Sequence, residues 1–104
     1  MPNNKYSCGE PIVYPVNIDM TPTAARPLIP AGDGVFSIFA SVFPAGLGTV
    51  ELEINGRWVP VELGDTFDFG NFGTEREVRI RNQNSVAAEA RFIIGATPQT
   101  TIQR

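Results

Sequence analysis

Carboxylates are the side chains here that come closest to chemistry. Asp65 and Asp68 flank the approach to Gly70-Asn71 and offer oxygen ligands of the kind calcium takes. They lack the dense Asp/Asn/Gly rhythm of a dedicated calcium loop, so no metal is expected. Glu51, Glu53 and Glu62 share one face of an alternating segment, and carboxylates so placed read as a solvated surface rather than an acid/base pair. There is no histidine, and Cys8 is the one cysteine. General bases, nucleophile pairs, transition-metal clusters and an intrachain disulfide therefore cannot be assembled. Asp68-Phe69-Gly70 spells a kinase element by chance, since no glycine-rich phosphate loop accompanies it. The chain is expected not to be an enzyme and to hold no cofactor.

Aromatic and apolar side chains leave contact as the remaining chemistry. Most of the aromatics belong in a core, but Trp58 and Phe72 have turn or edge positions that favour exposure. An oligomer contact suits them better than a saccharide platform. The residues expected at an interface are Tyr14, Val16 and Ile18 from an N-terminal strand, Phe39 and Phe43 from the outward face of a central strand, and Trp58 and Phe72.

Strands must position these residues. Six of the nine prolines fall within the first 30 residues, which excludes a helix there and favours an extended path. Within that arm Ile12, Tyr14, Val16, Ile18 and Met20 recur at every second position. Pro15, on the opposite phase, cannot donate to a ladder, so the strand belongs at an edge of its own sheet or along a neighbouring subunit. After Gly32-Asp33-Gly34, the run from Val35 to Phe43 predicts a central strand with Phe36, Ile38, Ala40 and Val42 on its apolar face.

Asn55-Gly56 is the strongest local signal, because this dipeptide accepts the two positive φ angles of a type I′ turn. Counting outward pairs Ile54 with Arg57, Leu52 with Val59 and Val50 with Val61, so the apolar faces coincide. Glu53 then faces Trp58 and Glu51 faces Pro60, which makes the second strand an edge or a bulged one. Further on, Glu75 to Arg81 and Val86 to Ile94 each alternate. They are expected to form a hairpin through Asn82-Gln83-Asn84, with Ile80 opposite Val86 and Val78 opposite Ala88.

Together these segments predict an all-β fold: a small antiparallel β-sandwich, jelly-roll or Ig-like, of six to seven strands, with an extended proline-rich N-terminal arm. The expected divisions are an arm over 1–34, a body over 35–95 and a polar tail over 96–104. At 104 residues one core is enough, burying roughly 65% of the unfolded surface. The net charge of −3 argues against nucleic acid as a partner. No run is apolar for the roughly 18 to 20 residues that span a bilayer, and the N-terminus lacks the order of a signal peptide, so a soluble, unprocessed chain is expected.

The proline-rich arm, the segment GTVELEINGRWVPVEL and the closing EVRIRNQNSVAAEARFIIG resemble the small β-rich accessory virion proteins of tailed bacteriophages, over about half the chain. That group includes capsid decoration or cement subunits and minor head or tail components. The resemblance implies a structural subunit made in the bacterial cytoplasm and located in the virion. Such a subunit stabilises the particle as a homo-oligomer, a trimer being favoured, against other virion proteins such as the major capsid protein. The competing expectation is a non-catalytic carbohydrate- or receptor-binding sandwich of a phage tail or fibre.

Overall fold

The computed structural model describes residues 6–8, 11–30, 34–70, 74, 76–97 and 99–101. Phe72, the Gly32-Asp33 part of the first turn and Glu75 lie outside them. The described residues contain no helix and form ten strands: β1 (Tyr6–Cys8), β2 (Ile12–Asp19), β3 (Arg26–Ile29), β4 (Val35–Val42), β5 (Val50–Ile54), β6 (Arg57–Val61), β7 (Thr66–Asp68), β8 (Val78–Asn82), β9 (Glu89–Ala96) and β10 (Gln99–Thr101). Two four-stranded antiparallel sheets, ordered β2-β9-β4-β7 and β3-β8-β5-β6, enclose one apolar layer. The N-terminal third supplies one strand to each sheet, β2 to the first and β3 to the second. Cys8 pairs with Gln99 and Ile12 with Ala96, so β1 and β10 continue the β2-β9 ladder beyond the body as a two-stranded ribbon.

Alternation explains the core. On β9, Ala90, Phe92 and Ile94 are fully buried at 0% exposure, between β2 on one side and β4 on the other. Leu52, Val78 and Ile80 answer them from the second sheet, also fully buried. Each large apolar side chain in such a layer stabilises by about 1.5–3 kcal/mol relative to exposure.

The hairpin of β5 and β6 has the register that the turn predicts, from Ile54 opposite Arg57 to Val50 opposite Val61. Asn55 has φ 52° and Gly56 φ 87°, as a type I′ turn requires. The second expected hairpin does not form. β8 lies between β3 and β5, whereas β9 lies between β2 and β4 in the opposite sheet. Asn82 makes the difference. Its buried side chain donates to Asn84 O (2.6 Å) and Met20 O (3.4 Å) and accepts from Arg26 Nη1 (3.0 Å). These bonds hold the chain at the end of one sheet, and Val86 N then donates to Met20 O (3.0 Å), which hands it to the other.

The inward face of β4 also departs from strict alternation. Register shifts between Val35 and Ser37 and between Ala40 and Val42 mark two bulges against β9. The inward residues are consequently Val35, Ile38 and Ala40, while Val42 turns outward at 45% exposure.

Each sheet edge is closed to a further strand. Met20 N donates to Ala88 O (3.0 Å), and the constant β2-β9 register makes bonded and non-bonded pairs alternate from there. The backbones of Val13, Pro15 and Asn17 therefore face the free edge, where Pro15 has no N–H to give. Pro60, opposite Glu51 in a non-bonded pair, does the same for β6. On β8, Asn82 N donates to Thr23 O (3.2 Å), so its even-numbered residues bond towards β3. Pro27, opposite Arg79, then also faces outward. The fourth edge, β7, is three residues long. Prolines and short strands at edges are how sheets resist edge-to-edge pairing.

Two predictions follow from local geometry. Gly56→Ala forces a side chain onto φ 87°, and chemical denaturation is expected to show a loss of about 1–2 kcal/mol. Asp19 Oδ1 accepts from Thr21 N (3.0 Å) and Thr21 Oγ1 (2.7 Å). The Thr21 bonds, backbone first, hold the Asp19 carboxyl below the ordinary carboxylate value, with a smaller pull from Arg26. A depressed folded pKa means that this group's stabilisation is present above the unfolded value and lost as pH falls through the folded one. Asp19→Asn is therefore expected to flatten the loss of stability on acidification below about pH 4, read by thermal melts across pH.

Candidate interaction surface

The residues expected at an interface are distributed over three surfaces. Tyr14, Val16 and Ile18 point inward from β2 and pack, half-buried, against the core. Phe43, just past β4, also turns inward and meets Phe92 edge-to-face at 5.6 Å between ring centroids and 62° between planes. The bulge at Ala40/Val42 is what exchanges Phe43 for Val42 on the outer side. Phe39 faces outward from the first sheet at 39% exposure, and Trp58 outward from the second.

Trp58 has an occupant within the chain. The Arg81 guanidinium lies 4.0 Å from the Trp58 ring centroid, and Arg81 Nε donates to Glu51 Oε1 at 2.7 Å. Beside it Arg79 pairs with Glu53 at 3.5 Å and reaches Glu77 at 4.0 Å. The register explains this ladder: Glu51 opposes Arg81 across β5-β8, and Glu53 opposes both Arg79 and Trp58. The stacking face of Trp58 is thus covered and the acids on this sheet are neutralised. Sequence reasoning missed the stack because β8 had been assigned another partner. The alternation Arg79-Ile80-Arg81 against Glu51-Leu52-Glu53 was the signal that could have found it.

The outer face of the first sheet is different. Val13 (72%), Phe39 (39%) and Val42 (45%) are exposed. The ladder sets Pro15, Ile93 and Phe39 in one row across β2, β9 and β4. Phe36, displaced outward by the first bulge, lies over Gly95, where an added Cβ would come within 2.9 Å of its ring. The result is a contiguous apolar strip. Its rim carries exposed Asp19, Asp68, Glu89 and Arg91, the last donating from Nε to Asn17 Oδ1 at 2.9 Å.

Two further features complete the survey. Between edge strands β2 and β3 opens a cleft of about 340 Å³ lined by Tyr14, Val16, Leu28, Ile29 and Pro30, with half-exposed Ile12 beside them. The carboxylates considered for calcium serve their own turns: Asp65 Oδ2 accepts from Glu62 N (2.8 Å) and Asp68 Oδ1 from Gly70 N (2.9 Å). No group of three or more His, Cys, Asp or Glu that could hold a metal occurs among the described residues.

No family model matches the chain, and neither a curated protein nor a solved structure shows significant similarity to it.

The stack of Arg81 on Trp58 makes a spectroscopic prediction. Arg81→Ala uncovers the indole, and tryptophan emission is expected to shift to longer wavelength. Stability should fall by no more than about 1 kcal/mol, because the ion pair and the stack are both partly exposed.

Proposed function

We propose that the chain is a non-catalytic structural subunit that assembles through its sheet faces, of the kind that decorates or stabilises the particle of a tailed bacteriophage. The single observation behind this reading is the apolar strip on the outer face of the first sheet, with Val13 at 72% exposure and Val42 at 45%. Most apolar surface on a soluble domain is scattered, whereas a contiguous strip with a charged rim is the mark of a contact surface. The described residues offer no competing cluster of catalytic groups, and the carboxylates nearest to one are engaged in turns or ion pairs. The partners in this proposal are other copies of the chain and virion proteins such as the major capsid protein.

The tailed-phage component of the proposal comes from the sequence resemblance; the contact component comes from the strip. Mass spectrometry of gradient-purified particles from cells producing the phage that encodes the chain tests both together. The expected outcome is the chain at a fixed ratio to the major capsid protein, retained through salt washing. Its absence from particles, with the chain recovered only in the soluble lysate, would overturn the assignment.

A further inference from the structure

We infer that the outer face of the first sheet packs against the same face of a second copy, forming a two-fold, face-to-face dimer. This inference rests on the structural-subunit reading and names the surface it uses.

The edges are closed first. Strand addition, the commonest way for a β-domain to meet a partner through its backbone, needs a free row of N–H and C=O groups. Pro15, Pro27 and Pro60 interrupt three of those rows, and the fourth edge strand has three residues. Contact is left to the faces. The outer face of the second sheet is already satisfied by its Glu51–Arg81 and Glu53–Arg79 pairs and by Arg81 on Trp58. The outer face of the first sheet is the one with apolar side chains in solvent.

Shape and size favour a sheet as the occupant. Twisted antiparallel sheets pack face to face about 10 Å apart with strands inclined by about 30°. A second copy offers the same twist and the same apolar rows. Four strands at about 4.8 Å spacing, with the longest about 26 Å, give a face of roughly 500 Å². Two such faces bury about 1,000 Å², the lower bound for a specific interface and the range of reversible association. Phe39, central in its row between Ile93 and Thr66, occupies the middle of that contact.

The rim gives the dimer a signature. Asp19, Asp68 and Glu89 outnumber Arg91, so two copies bring like-charged rims together around an apolar centre. Rim charges are solvent-exposed and screened over about 8–10 Å at moderate ionic strength, so they weaken the contact without preventing it. Added salt should therefore tighten this dimer, whereas a heterologous partner with a basic rim would be released by salt.

Sedimentation equilibrium of the full chain, over a range of concentrations in low salt and in about 0.5 M salt, tests the inference. A monomer–dimer equilibrium that tightens with salt is expected. Phe39→Glu places a charge at the centre of the contact and is expected to weaken it by roughly a hundredfold, with an unchanged circular dichroism spectrum because Phe39 packs outside the core. Val42→Glu, on the same face, should weaken dimerisation in parallel and guards against a folding defect in the first variant. A wild-type monomer at every concentration, a trimer, a dimer loosened by salt, or a dimer indifferent to both substitutions would each overturn the inference. None of these would affect recovery of the chain in purified particles, so the structural-subunit reading fails or stands on its own measurement.

Discussion

The structure depends on a single apolar layer shared by two sheets, and β9 is the strand on which that layer is built. Ala90, Phe92, Ile94 and Ala96 alternate along it with at most 1% exposure, while its two edges bond to β2 and β4. Because side chains alternate with a period of two, a one-residue slip of β9 would turn this whole row to solvent. Its register thus fixes which face of β2 and of β4 points inward. The bulges on β4 absorb the remaining mismatch. They keep Val35, Ile38 and Ala40 over the core and turn Phe43 onto Phe92, at the consequence of exposing Phe36 and Val42 on the opposite side.

The connection between the layers has its own requirement. A chain leaving β8 must cross from one sheet to the other without abandoning its backbone groups. Asn82 meets this by acting as donor to two carbonyls and acceptor to Arg26, whose Nη2 also donates to Asp19 O at 2.9 Å. A buried amide so fully engaged is stabilising, whereas the same amide without partners would cost about 1–3 kcal/mol. Gln83 N and Asn84 N add bonds to Thr49 O and Leu47 O, both 2.9 Å, so the crossover is sewn to the loop before β5 as well.

What was legible in the sequence follows the range of the interactions that determine it. The β5-β6 hairpin was readable because Asn55-Gly56 and the alternation on either side are independent, local and in agreement. The all-β class and the two-layer arrangement followed from strand spacing and glycine-proline punctuation. The pairing of β8 and β9 was not readable, since Asn82-Gln83-Asn84 suits a turn as well as a crossover and only Met20, 62 residues away, decides between them. Nor were the β4 bulges, which arise from a fit to β9 some 50 residues later and leave no local composition signal. This is why Phe43 was expected outward and lies inward, while Phe39 was expected outward and is exposed.

The two outer faces show how little of the contact surface is set by the fold itself. Both belong to four-stranded sheets with the same alternation and with prolines guarding an edge. On one, cross-strand partners are opposite in charge and a guanidinium covers the indole, so its polar groups are satisfied by each other. On the other, the corresponding positions hold Val13, Pro15, Phe39 and Ile93, which have nothing within their own chain to cover them. Apolar side chains at such positions add nothing to the stability of an isolated domain and raise its risk of aggregation. Edges closed with proline beside a face left apolar are opposite choices within one sheet. They are reconciled if association is wanted in one geometry and excluded in the other. The asymmetry therefore points to selection for a face contact, acting on residues that the core does not constrain.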